Sequence, residues 1–500
     1  MKITLDSPIN KYYVQTLGMI FFPGEHFGEN EDEHYEGEPS LDVRSVEEEG
    51  GIRAFATVSV DGKSESAEHF CEFDPERTKE RVMKLAIGGA VLVAASNLLG
   101  YRPAWGMMIG VRPSKIASEM LEAGYSKTKV KRILNTDYLV IPKKAALATS
   151  IAITEKNIID KPSPKDCSVY ISIPFCPTRC SYCSFVSYTS KRLLSLIPEY
   201  LEKLKEDIRF NFETISMLGL KVRTVYIGGG TPTILDEAQL EDLLGFIAKQ
   251  TDVSALEEFT LEAGRPDTIT YEKFVIAKKY GVTRVSVNPQ SLCNKLLESV
   301  GRSHTSEEFF RAFNDARRAG IKTVNVDLIA GLPGDDFKTF AYTLDEVIKL
   351  RPENITVHTF CVKKSSELLK RDPNVFSIRG GSVGKCVDYS QIKTDQNGYI
   401  PYYMYRQKNT VGNYENVGFA LPGHEGYYNI YMMEEIHSIF AAGAGAVGKL
   451  VDNTKNNCNK REIDRLFHQK YPYEYLLEDK NDSFRAATLK FYQEHGMLDD

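Results

Sequence analysis

Short apolar runs alternate with amphipathic stretches through the middle of the chain. A helix is predicted where apolar residues recur at steps of three or four, at Leu201, Leu204, Ile208, Phe212 and Ile215. Similar helical patterns lie around residues 237–249, 271–280, 305–319 and 335–350. Strands are predicted at Ser168–Ile173, Val222–Ile227, Glu258–Glu262, Arg284–Val287, Thr323–Ile329 and Asn354–Thr359. Because each parallel return needs a crossover, this alternation predicts an α/β fold with a parallel sheet, either doubly wound or a partial (β/α) barrel.

Less regular regions flank this segment on both sides. Residues 1–165 open with possible strands at 11–22 and 51–60, continue with helical patterns, and end at a linker, 160–165, whose two prolines break any helix. The remainder of the chain is rich in tyrosine and ends in a helical pattern. We therefore expect three domains: an N-terminal accessory α+β domain at 1–165, a central domain at 166–360 and a C-terminal extension at 361–500.

Composition and charge narrow the class of protein. Hydrophobic residues make up 42% of the 500 positions and charged residues 26%, which are ordinary globular values and argue against a disordered or coiled-coil chain. A net charge of −6 gives no electrostatic case for nucleic acid or an anionic membrane as the main partner. The N-terminus has no secretory pattern, and the nine cysteines are mostly scattered, as in a reducing compartment. We expect a cytoplasmic protein.

Two further stretches each allow two interpretations. The run Leu85–Tyr101 is the longest without charge, but its 17 residues fall short of the roughly 20 needed to span a bilayer. We therefore predict a buried helix there and no membrane span. The segment 111–115, which contains Arg112 and Lys115, is a candidate anion site or a solvated turn.

Three cysteines directly after the first predicted strand carry the strongest chemical signal. Cys176, Cys180 and Cys183 have the spacing CX3CX2C, and thiolates so spaced can converge on a metal centre. A structural zinc site needs four protein ligands, and the nearest further candidate, Cys167, lies on the predicted strand itself. Three thiolates suit a [4Fe–4S] cluster whose fourth iron is open to a substrate or cofactor. A zinc site and unrelated thiols remain alternatives.

Polar residues also follow or end the other predicted strands. In parallel α/β folds the carboxyl ends of the strands meet at one edge, where ligands bind. Each such residue alone is more typical of a turn or a helix cap, but together they predict a site at this edge. The candidates are Gly228–Pro232, Glu262, Gln290, Arg302, Asp327 and His358.

These motifs resemble the radical S-adenosylmethionine superfamily, in which CX3CX2C follows a strand and a GGGTP turn comes later. The wider pattern is similar to the oxygen-independent coproporphyrinogen III dehydrogenase group, with its HemN, HemW and HemZ types; it comprises YxxIPFCxxxCxYC, IGGGTPT, TLEAGRPD, GRSH and VDLIAGLPG. The resemblance is dense over 166–360 and loose over 361–450. The added N-terminal region and the SYCSF variant look most like the HemZ type. The resemblance implies a partial (β/α)6 radical-SAM barrel.

The resemblance also implies two cofactors and the residues that hold them. Cys176, Cys180 and Cys183 would hold a [4Fe–4S] cluster, and no catalytic side chain is implied beyond the cluster and S-adenosyl-L-methionine (SAM). A carboxylate suits ribose hydroxyls, a guanidinium suits a carboxylate, and glycines admit a ligand against the backbone. The positions that match the family's SAM contacts are Tyr170, Gly229, Gly230, Thr231, Glu262, Gln290, Arg302 and Asp327.

The implied reaction is the oxidative decarboxylation of two coproporphyrinogen III propionates to vinyl groups, which gives protoporphyrinogen IX. A 5′-deoxyadenosyl radical, formed by reductive cleavage of SAM, takes a hydrogen atom from the propionate β-carbon, and CO2 and an electron are then lost. The implied partners are a porphyrinogen substrate and a flavodoxin- or ferredoxin-type electron donor. No nucleic acid partner is implied.

Two positions depart from the dehydrogenase pattern. Phe185 stands where the dehydrogenase proper has a further cysteine, as in the heme-chaperone relatives, and Ser172 stands where it has a histidine. The alternative function is therefore a radical-SAM-like chaperone that binds and delivers heme. A zinc-dependent structural protein is a third possibility outside the family.

The C-terminal extension would have to form the substrate pocket. Aromatic faces mixed with hydrogen-bond donors would suit a flat macrocycle with propionates, although a tyrosine-rich core edge explains the same pattern. The residues concerned are Tyr402, Tyr403, Tyr405, Arg406 and Asn409. His358, His424 and His437 are candidates for heme iron ligands or ordinary hydrogen-bonded histidines.

Overall fold

The computed structural model describes most of the chain. The described residues are 1–22, 25, 38–110, 112–159, 163–183, 185–361, 382–407, 410–454 and 461–498. Part of the predicted linker, 160–162, and the pocket candidate Asn409 lie outside these residues.

The N-terminal unit, which comprises the described residues up to 159, is a four-stranded sheet covered by helices. Its strands lie in chain order, the first pair parallel and the others antiparallel. They are β1 (Lys2–Asp6), β2 (Ser40–Glu48), β3 (Gly51–Val60) and β4 (Lys63–Glu72). The helices are α1 (Lys11–Phe21), α2 (Lys79–Leu99), α3 (Pro113–Glu122), α4 (Lys127–Thr136) and α5 (Pro142–Ile158). The strand predicted at 51–60 is confirmed.

The strand predicted at residues 11–22 is wrong, because this segment forms α1. Asn10 caps the helix, since its side chain accepts a hydrogen bond from Tyr12 N at 2.8 Å. Val14, Leu17 and Phe21 are buried, and their spacing of three and four residues places them on one helical face. The cap and this spacing outweigh the aromatic and β-branched composition that favours a strand.

Helix α2 contains the long uncharged run and packs against β3 and β4. Thr78 caps its start by accepting a hydrogen bond from Arg81 N, and Gly100 ends it with a φ of 63°. By length and composition α2 could cross a membrane, but 61% of its most apolar 18-residue window is buried inside the structure. The core helix of a globular unit meets the same criterion, and the predicted helix is confirmed.

The central segment forms six parallel strands that neighbour one another in chain order. They are β5 (Asp166–Ile173), β6 (Lys221–Gly229), β7 (Glu258–Glu262), β8 (Arg284–Ser286), β9 (Thr323–Ala330) and β10 (Asn354–Thr359). The connecting helices are α6 (Lys191–Leu194), α7 (Ile197–Met217), α8 (Glu237–Gln250), α9 (Tyr271–Lys279), α10 (Asn294–Ser299), α11 (Ser306–Arg318) and α12 (Phe337–Lys349). All six predicted strands are confirmed to within two residues at each end.

The C-terminal extension continues the same sheet at both of its edges. Its elements are α13 (Val383–Gln396), β11 (Ile400–Tyr405), β12 (Asn416–Ala420), α14 (Tyr427–Met433), β13 (Ser438–Ala442), β14 (Val447–Val451), β15 (Ile463–Phe467), α15 (Pro472–Leu476) and α16 (Asn481–Glu494). Strands β12 and β11 extend the sheet beyond β10, while β13 lies parallel to β5 and is followed by β14 and β15. The predicted fold class, a partial (β/α)6 barrel with an N-terminal α+β unit and a C-terminal extension, is confirmed. The domain boundaries at 165 and 360 stay predictions.

A buried ion pair joins the N-terminal unit to the C-terminal extension. Lys144 Nζ, on α5, lies 2.6 Å from Glu415 Oε1, and both side chains are fully buried. The other Glu415 oxygen accepts a hydrogen bond of 2.7 Å from the indole N–H of Trp105, the single tryptophan of the chain. Gln391 also donates to Glu415 at 2.9 Å. Hydrogen bonds from Trp105 and Gln391 therefore replace water around the Glu415 carboxylate.

We predict that Lys144→Met lowers the free energy of unfolding by about 3–5 kcal/mol, because it leaves the Glu415 carboxylate buried without its cation. Lys143→Met is the matched control, since Lys143 is the neighbouring lysine and 61% of its side chain is exposed. It should change stability by less than about 1 kcal/mol. Urea unfolding followed by Trp105 fluorescence measures both, and equal losses would contradict the role of the pair.

Candidate functional site

A cavity of about 700 Å³ lies at the carboxyl ends of the barrel strands. Loops and strand ends from all six barrel strands contribute to its lining. The structure brings every predicted cluster and SAM residue to this one cavity, although their individual ligand roles stay predictions. These residues are Tyr170, Gly229, Gly230, Thr231, Glu262, Gln290, Arg302, Asp327, Cys176, Cys180 and Cys183.

The cysteine loop is fixed at both ends by backbone hydrogen bonds. Cys176 N donates to Tyr188 O at 3.1 Å, and Ser181 N donates to Val300 O at 3.0 Å. Cys176 and Cys180 are buried, and Cys183 is partly buried. The loop therefore holds its thiols at the cavity without support from regular secondary structure.

The glycine turn after β6 packs directly against this loop. A Cβ at Gly230 would lie 2.6 Å from Phe175 O and 3.0 Å from Cys176 Sγ, which no side chain can tolerate without a shift. Gly229 has a φ of 106°, a conformation that disfavours other residues. The next residue, Thr231, has its hydroxyl 3.2 Å from Cys176 Sγ. The glycines are thus required by a close backbone approach.

Two guanidinium groups face Cys180. Arg265 Nη1 lies 3.8 Å and Arg302 Nη1 4.0 Å from Cys180 Sγ, so two positively charged groups lie beside this sulfur. Asp267 and Ser303 hold the Arg265 side chain at 3.0 and 2.8 Å. Arg265 belongs to the TLEAGRPD segment but was not among the predicted site residues; its position just beyond the end of β7 was the available signal.

Arg302 was predicted to contact a cofactor carboxylate, and its donors are already engaged within the protein. Its Nη2 donates to Gly264 O and Asn288 O, both at 2.8 Å, and its Nη1 donates to the Tyr182 hydroxyl at 3.3 Å. Tight anchoring to two carbonyls fixes the guanidinium beside Cys180. Its contact with SAM stays a prediction.

The positions of the cysteine thiols distinguish a zinc site from an iron–sulfur cluster. Burial raises the pKa of Cys176 to about 11, and the neighbouring Cys183 and Cys180 add to this effect. Among the described residues, no three His, Cys, Asp or Glu side chains converge closely enough for a single ion. Cys167 lies at the opposite end of β5 from the loop, roughly 20 Å away at about 3.3 Å per residue, and so cannot complete a four-thiolate zinc site. A [4Fe–4S] cluster, in which three irons would each take one thiolate, fits this spread.

Glu262, at the end of β7, is a buried carboxyl group with a raised pKa. The Tyr226 hydroxyl donates a hydrogen bond to its Oε1. Burial raises the pKa of Glu262 to about 7, with Asp327 adding to the shift and the Tyr226 hydrogen bond opposing it. A cationic ligand beside Glu262 would favour the ionised form.

Asp327, on β9, is held as an anion by its neighbours. Asn288 and Asn325 donate to its two oxygens at 2.9 and 2.7 Å, and His358 Nε2 lies 3.7 Å from Oδ2. Burial alone would raise the pKa of Asp327, but the interactions with His358 and the amides outweigh it and the pKa is lowered. The pKa values of Asp327 and Glu262 are therefore shifted in opposite directions within one cavity, as those of paired functional carboxyls often are.

Gln290 supplies a polar atom that the protein leaves without a partner. Its backbone has a φ of 64°, and its N–H donates to Asp327 O at 3.1 Å. Its side-chain Oε1 is buried and has no hydrogen-bond partner among the described residues. Because such orphaned atoms are costly, a ligand donor at this position would satisfy it. With the cysteine loop and the Glu262 carboxyl, the residues present fit a [4Fe–4S] cluster and SAM.

Tyrosine rings form a wall of the same cavity. Tyr226 stacks on Tyr428 at 4.5 Å between ring centres, and Tyr170 lies about parallel to both at 6.1 and 6.3 Å. Tyr403 and Tyr405 of β11 lie 6.3 Å apart with their planes at 17°. Tyr428 was not predicted, because it lies on α14, far along the chain from the barrel.

Two residues proposed for the substrate pocket point elsewhere. Tyr402 is fully buried behind the wall, and Arg406 donates to Met108 O at 2.6 Å, in the contact with the N-terminal unit. Alternate residues of a strand face opposite sides, so Tyr403 and Tyr405 reach the cavity while Tyr402 and Arg406 do not. The assignment of Arg406 to the pocket is therefore wrong.

Of the three histidines considered as heme ligands, the cavity contains His358 alone. His358 Nδ1 lies 3.2 Å from the Tyr405 hydroxyl. His424 pairs with Thr323 at 2.9 Å, and His437 is buried against Ser168 at 3.0 Å. His424 and His437 are thus ordinary hydrogen-bonded histidines in this structure.

Two cations from the C-terminal strands also line the cavity, and neither was predicted. Lys449 lies on β14 and Arg465 faces it in register on β15. Lys449 Nζ donates to Met432 O at 3.2 Å and lies 3.7 Å from Glu435. Within the described residues, Arg465 makes no ion pair.

Comparison with known proteins agrees with this architecture. Residues 170–347 match the Radical SAM superfamily. The oxygen-independent coproporphyrinogen-III oxidase-like protein HemZ of Bacillus subtilis is 38% identical over 401 residues, covering 79% of this chain and 80% of HemZ. The heme chaperone HemW of Lactococcus lactis is 32% identical over 286 residues, covering 57% of this chain and 69% of HemW. The solved structure of coproporphyrinogen III oxidase (HemN) from Escherichia coli has a TM-score of 0.48 at 20% identity, covering 66% of this chain and 72% of HemN.

A barrel in this strand order, with three cysteines after its first strand, is the architecture of a radical SAM protein. The chain belongs to the radical SAM superfamily and, within it, to the HemN/HemZ-like family. The two cofactors expected from the sequence, a [4Fe–4S] cluster and SAM, are confirmed by this membership.

We predict that Cys180→Ala abolishes cluster binding, because it removes one of three thiolates and a cluster with two would be lost. The iron and acid-labile sulfide content of the anaerobically reconstituted protein measures cluster binding directly. We expect about four of each per chain in the wild type. Cys167→Ala is the matched control and should keep both. A full cluster in Cys180→Ala would contradict the ligand assignment, and loss of the metal in Cys167→Ala would favour a four-thiolate site.

We predict that SAM binds more weakly as the pH falls through about 7, by up to about tenfold per pH unit, because Glu262 must lose its proton to contact a cation. Above pH 7 the affinity should level off. Equilibrium dialysis of labelled SAM against the reconstituted protein measures the profile. Glu262→Gln should bind weakly without this pH dependence, and Glu272→Gln, an exposed position on α9, should keep the wild-type profile. A flat wild-type profile would contradict the role of Glu262.

Proposed function

We propose that the protein catalyses the oxygen-independent oxidative decarboxylation of coproporphyrinogen III, converting two propionates to vinyl groups and forming protoporphyrinogen IX in heme biosynthesis. The proposal rests on the residues that line the cavity at the carboxyl ends of the barrel strands. Its lining combines the cysteine loop, a wall of tyrosines and two cations from the last two strands. A flavodoxin- or ferredoxin-type protein is the proposed electron donor.

The cofactors would be held by residues at the strand ends. When bound, they supply a 5′-deoxyadenosyl radical, formed by reductive cleavage of SAM, that removes a hydrogen atom from the propionate β-carbon. The anionic Asp327 offers acceptors suited to ribose hydroxyls, and ionised Glu262 suits a cationic group. Gln290 Oε1 would gain the donor that it lacks.

The tyrosine wall suits a flat apolar macrocycle. Aromatic rings stack on such a ligand and their hydroxyls can meet its polar edge. Tyr403 and Tyr405 come from β11 at one edge of the eleven-stranded sheet, and Tyr170 comes from β5 in its interior. The substrate would therefore be held between the first barrel strand and the C-terminal extension.

Lys449 and Arg465 suit the carboxylates of such a substrate. Burial lowers the pKa of Lys449, and Glu435 partly opposes this shift. A substrate propionate would supply a further anion for this lysine, and Arg465 could bind a carboxylate through two parallel hydrogen bonds. The two cations lie beyond β5, on the sheet edge opposite to β11.

The two residues that depart from the dehydrogenase pattern, Ser172 and Phe185, differ in whether they line the cavity. Ser172 is buried and donates to Ala444 O at 3.0 Å, so its side chain belongs to the packing of β5 and is not part of the cavity lining. Phe185 lines the cavity with 67% of the residue exposed. An exposed apolar ring beside the cysteines supports the second candidate function, a heme chaperone, in which His358 would be the iron ligand available in the cavity.

One anaerobic assay distinguishes these functions. The reconstituted protein is given reductant, SAM and coproporphyrinogen III, and the porphyrins are oxidised and separated by chromatography. The tricarboxylic intermediate and protoporphyrin support the dehydrogenase. Deoxyadenosine without porphyrin turnover means a working radical centre with another substrate. Stable heme binding without SAM cleavage favours the chaperone.

We predict that Lys449→Gln raises the KM for coproporphyrinogen III by about tenfold with a smaller effect on kcat, because a charge-assisted hydrogen bond to a propionate is lost. Deoxyadenosine formation without substrate should not change, which separates substrate binding from damage to the radical centre. Lys490→Gln, an exposed lysine on α16, is the control and should behave as wild type. An unchanged KM in Lys449→Gln would contradict this role of Lys449.

A further inference from the structure

A second cavity, of about 590 Å³, lies within the N-terminal unit, and the proposed reaction does not use it. We call it the N-terminal cavity. Helices α1, α2 and α3, the loop 107–110 and Tyr138 line it. Its volume falls in the range of pockets that enclose drug-sized organic molecules, about 300–1,000 Å³. It contains part of the segment 111–115, for which the sequence allowed an anion site or a solvated turn.

The lining of the N-terminal cavity is apolar with an excess of positive charge. Four cations face two carboxylates, Glu80 and Glu119. Arg81 and Lys84 come from α2, and Arg112 and Lys115 come from the start of α3, so the positive charge is divided between two walls. The apolar part of the lining comes from Leu85, Met107, Met108, Ile109, Pro113 and Ile116.

The two walls differ in how far their cations are already neutralised. On the α2 wall, Lys84 pairs with Glu80 at 2.7 Å. Arg81, on the same wall, donates a hydrogen bond to the Tyr138 hydroxyl at 2.7 Å. Both cations of the α2 wall therefore have contacts within the protein.

The α3 wall contains a cation that no anion contacts. The Lys115 ammonium group has no ion pair or hydrogen bond among the described residues. It attracts the buried Glu434 from beyond ion-pair distance, and this attraction opposes the rise that burial causes in the pKa of Glu434. No side chain caps α3, which begins at Pro113, so the positive end of the helix dipole adds to this wall. The α3 wall is therefore the one that can accept an anion directly.

Arg112 connects the N-terminal cavity to the first one. Its guanidinium lies 2.8 Å from Glu435 and donates to Met433 O, while Lys449 of the first cavity lies 3.7 Å from the same Glu435. One carboxylate thus bridges a cation from each cavity. An anion that binds beside Arg112 would compete for it with Glu435.

We propose that the N-terminal cavity is a second binding site for a carboxylated tetrapyrrole. Several carboxylates on a flat apolar body match cations on two walls and an apolar lining between them. The choice of this ligand class rests on the proposed function, which places the same class of molecule in the first cavity. The site itself rests on the cavity and on the α3 wall with its uncontacted cation.

Equilibrium dialysis of coproporphyrin III, an oxidised and fluorescent probe, against the reconstituted SAM-bound protein tests the proposal. Wild type should bind two probe molecules per chain. Lys115→Gln and Arg112→Gln should each weaken one of the two sites by about tenfold or more. Lys131→Gln and Arg132→Gln, exposed positions on α4, remove the same charges and should leave both sites intact. Lys115→Gln breaks no ion pair, so it separates binding from folding.

The variants also separate this proposal from the proposed function. Lys449→Gln should weaken the other site and leave the Lys115-dependent site bound. If Lys115→Gln and Arg112→Gln bind the probe as wild type does, the second site is overturned. Dodecanoate is the second probe: Lys115-dependent binding of dodecanoate without any of coproporphyrin III would overturn the tetrapyrrole assignment. If coproporphyrin III binds at the Lys115-dependent site while Lys449→Gln does not change probe binding at the other site, the second site is supported. The proposed contact between Lys449 and the substrate is then contradicted.

Discussion

The cluster site depends on a close backbone approach between the ends of β5 and β6. Gly230 N donates to Ile173 O and Thr231 N donates to Phe175 O, each at 2.8 Å. These bonds can form because the turn has no Cβ where it meets Phe175 and Cys176. They fix the first cysteine and bring the Thr231 hydroxyl to its sulfur. The rest of the cavity is assembled around a loop that this contact holds in place.

Charge in the cavity is balanced group by group, because buried charges are costly without partners. Two guanidinium groups face Cys180, amides and His358 hold Asp327 as an anion, and Glu262 is protonated more easily. Glu262 is therefore the carboxyl group of this cavity whose ionisation a cationic ligand would favour. Binding of a cationic ligand beside Glu262 would therefore release a proton from this carboxyl group.

The C-terminal extension forms part of the cavity wall, and the N-terminal unit contacts this extension. The extension places tyrosines on one edge of the sheet and cations on the other. The N-terminal unit holds the extension through the buried pair of Lys144 and Glu415 and through the contact of Arg112 with Glu435. The N-terminal unit can thus influence the shape of the cavity, since it anchors strands and loops of the extension that line it.

The sequence by itself determined the barrel and the ring of site residues. Strand and helix periods are local properties, and the carboxyl ends of parallel strands must meet at one edge, so the strand pattern alone groups Glu262, Gln290 and Asp327. The sequence pattern grouped Tyr403, Tyr405 and Arg406 in one pocket, whereas alternation along the backbone places the two tyrosines at the cavity and Arg406 away from it. At residues 11–22 the composition favours a strand, whereas the Asn10 cap and the helical spacing, both present in the sequence, decide for a helix.

Only the tertiary structure decided which distant residues complete the site. Lys449, Arg465 and Tyr428 follow the cysteine loop by more than two hundred residues, and they reach the cavity because β13 pairs in parallel with β5. No local pattern encodes that pairing, since it depends on how the extension closes the edge of the sheet. The N-terminal cavity is likewise formed by helices and a loop whose sequences each look like ordinary surface or core.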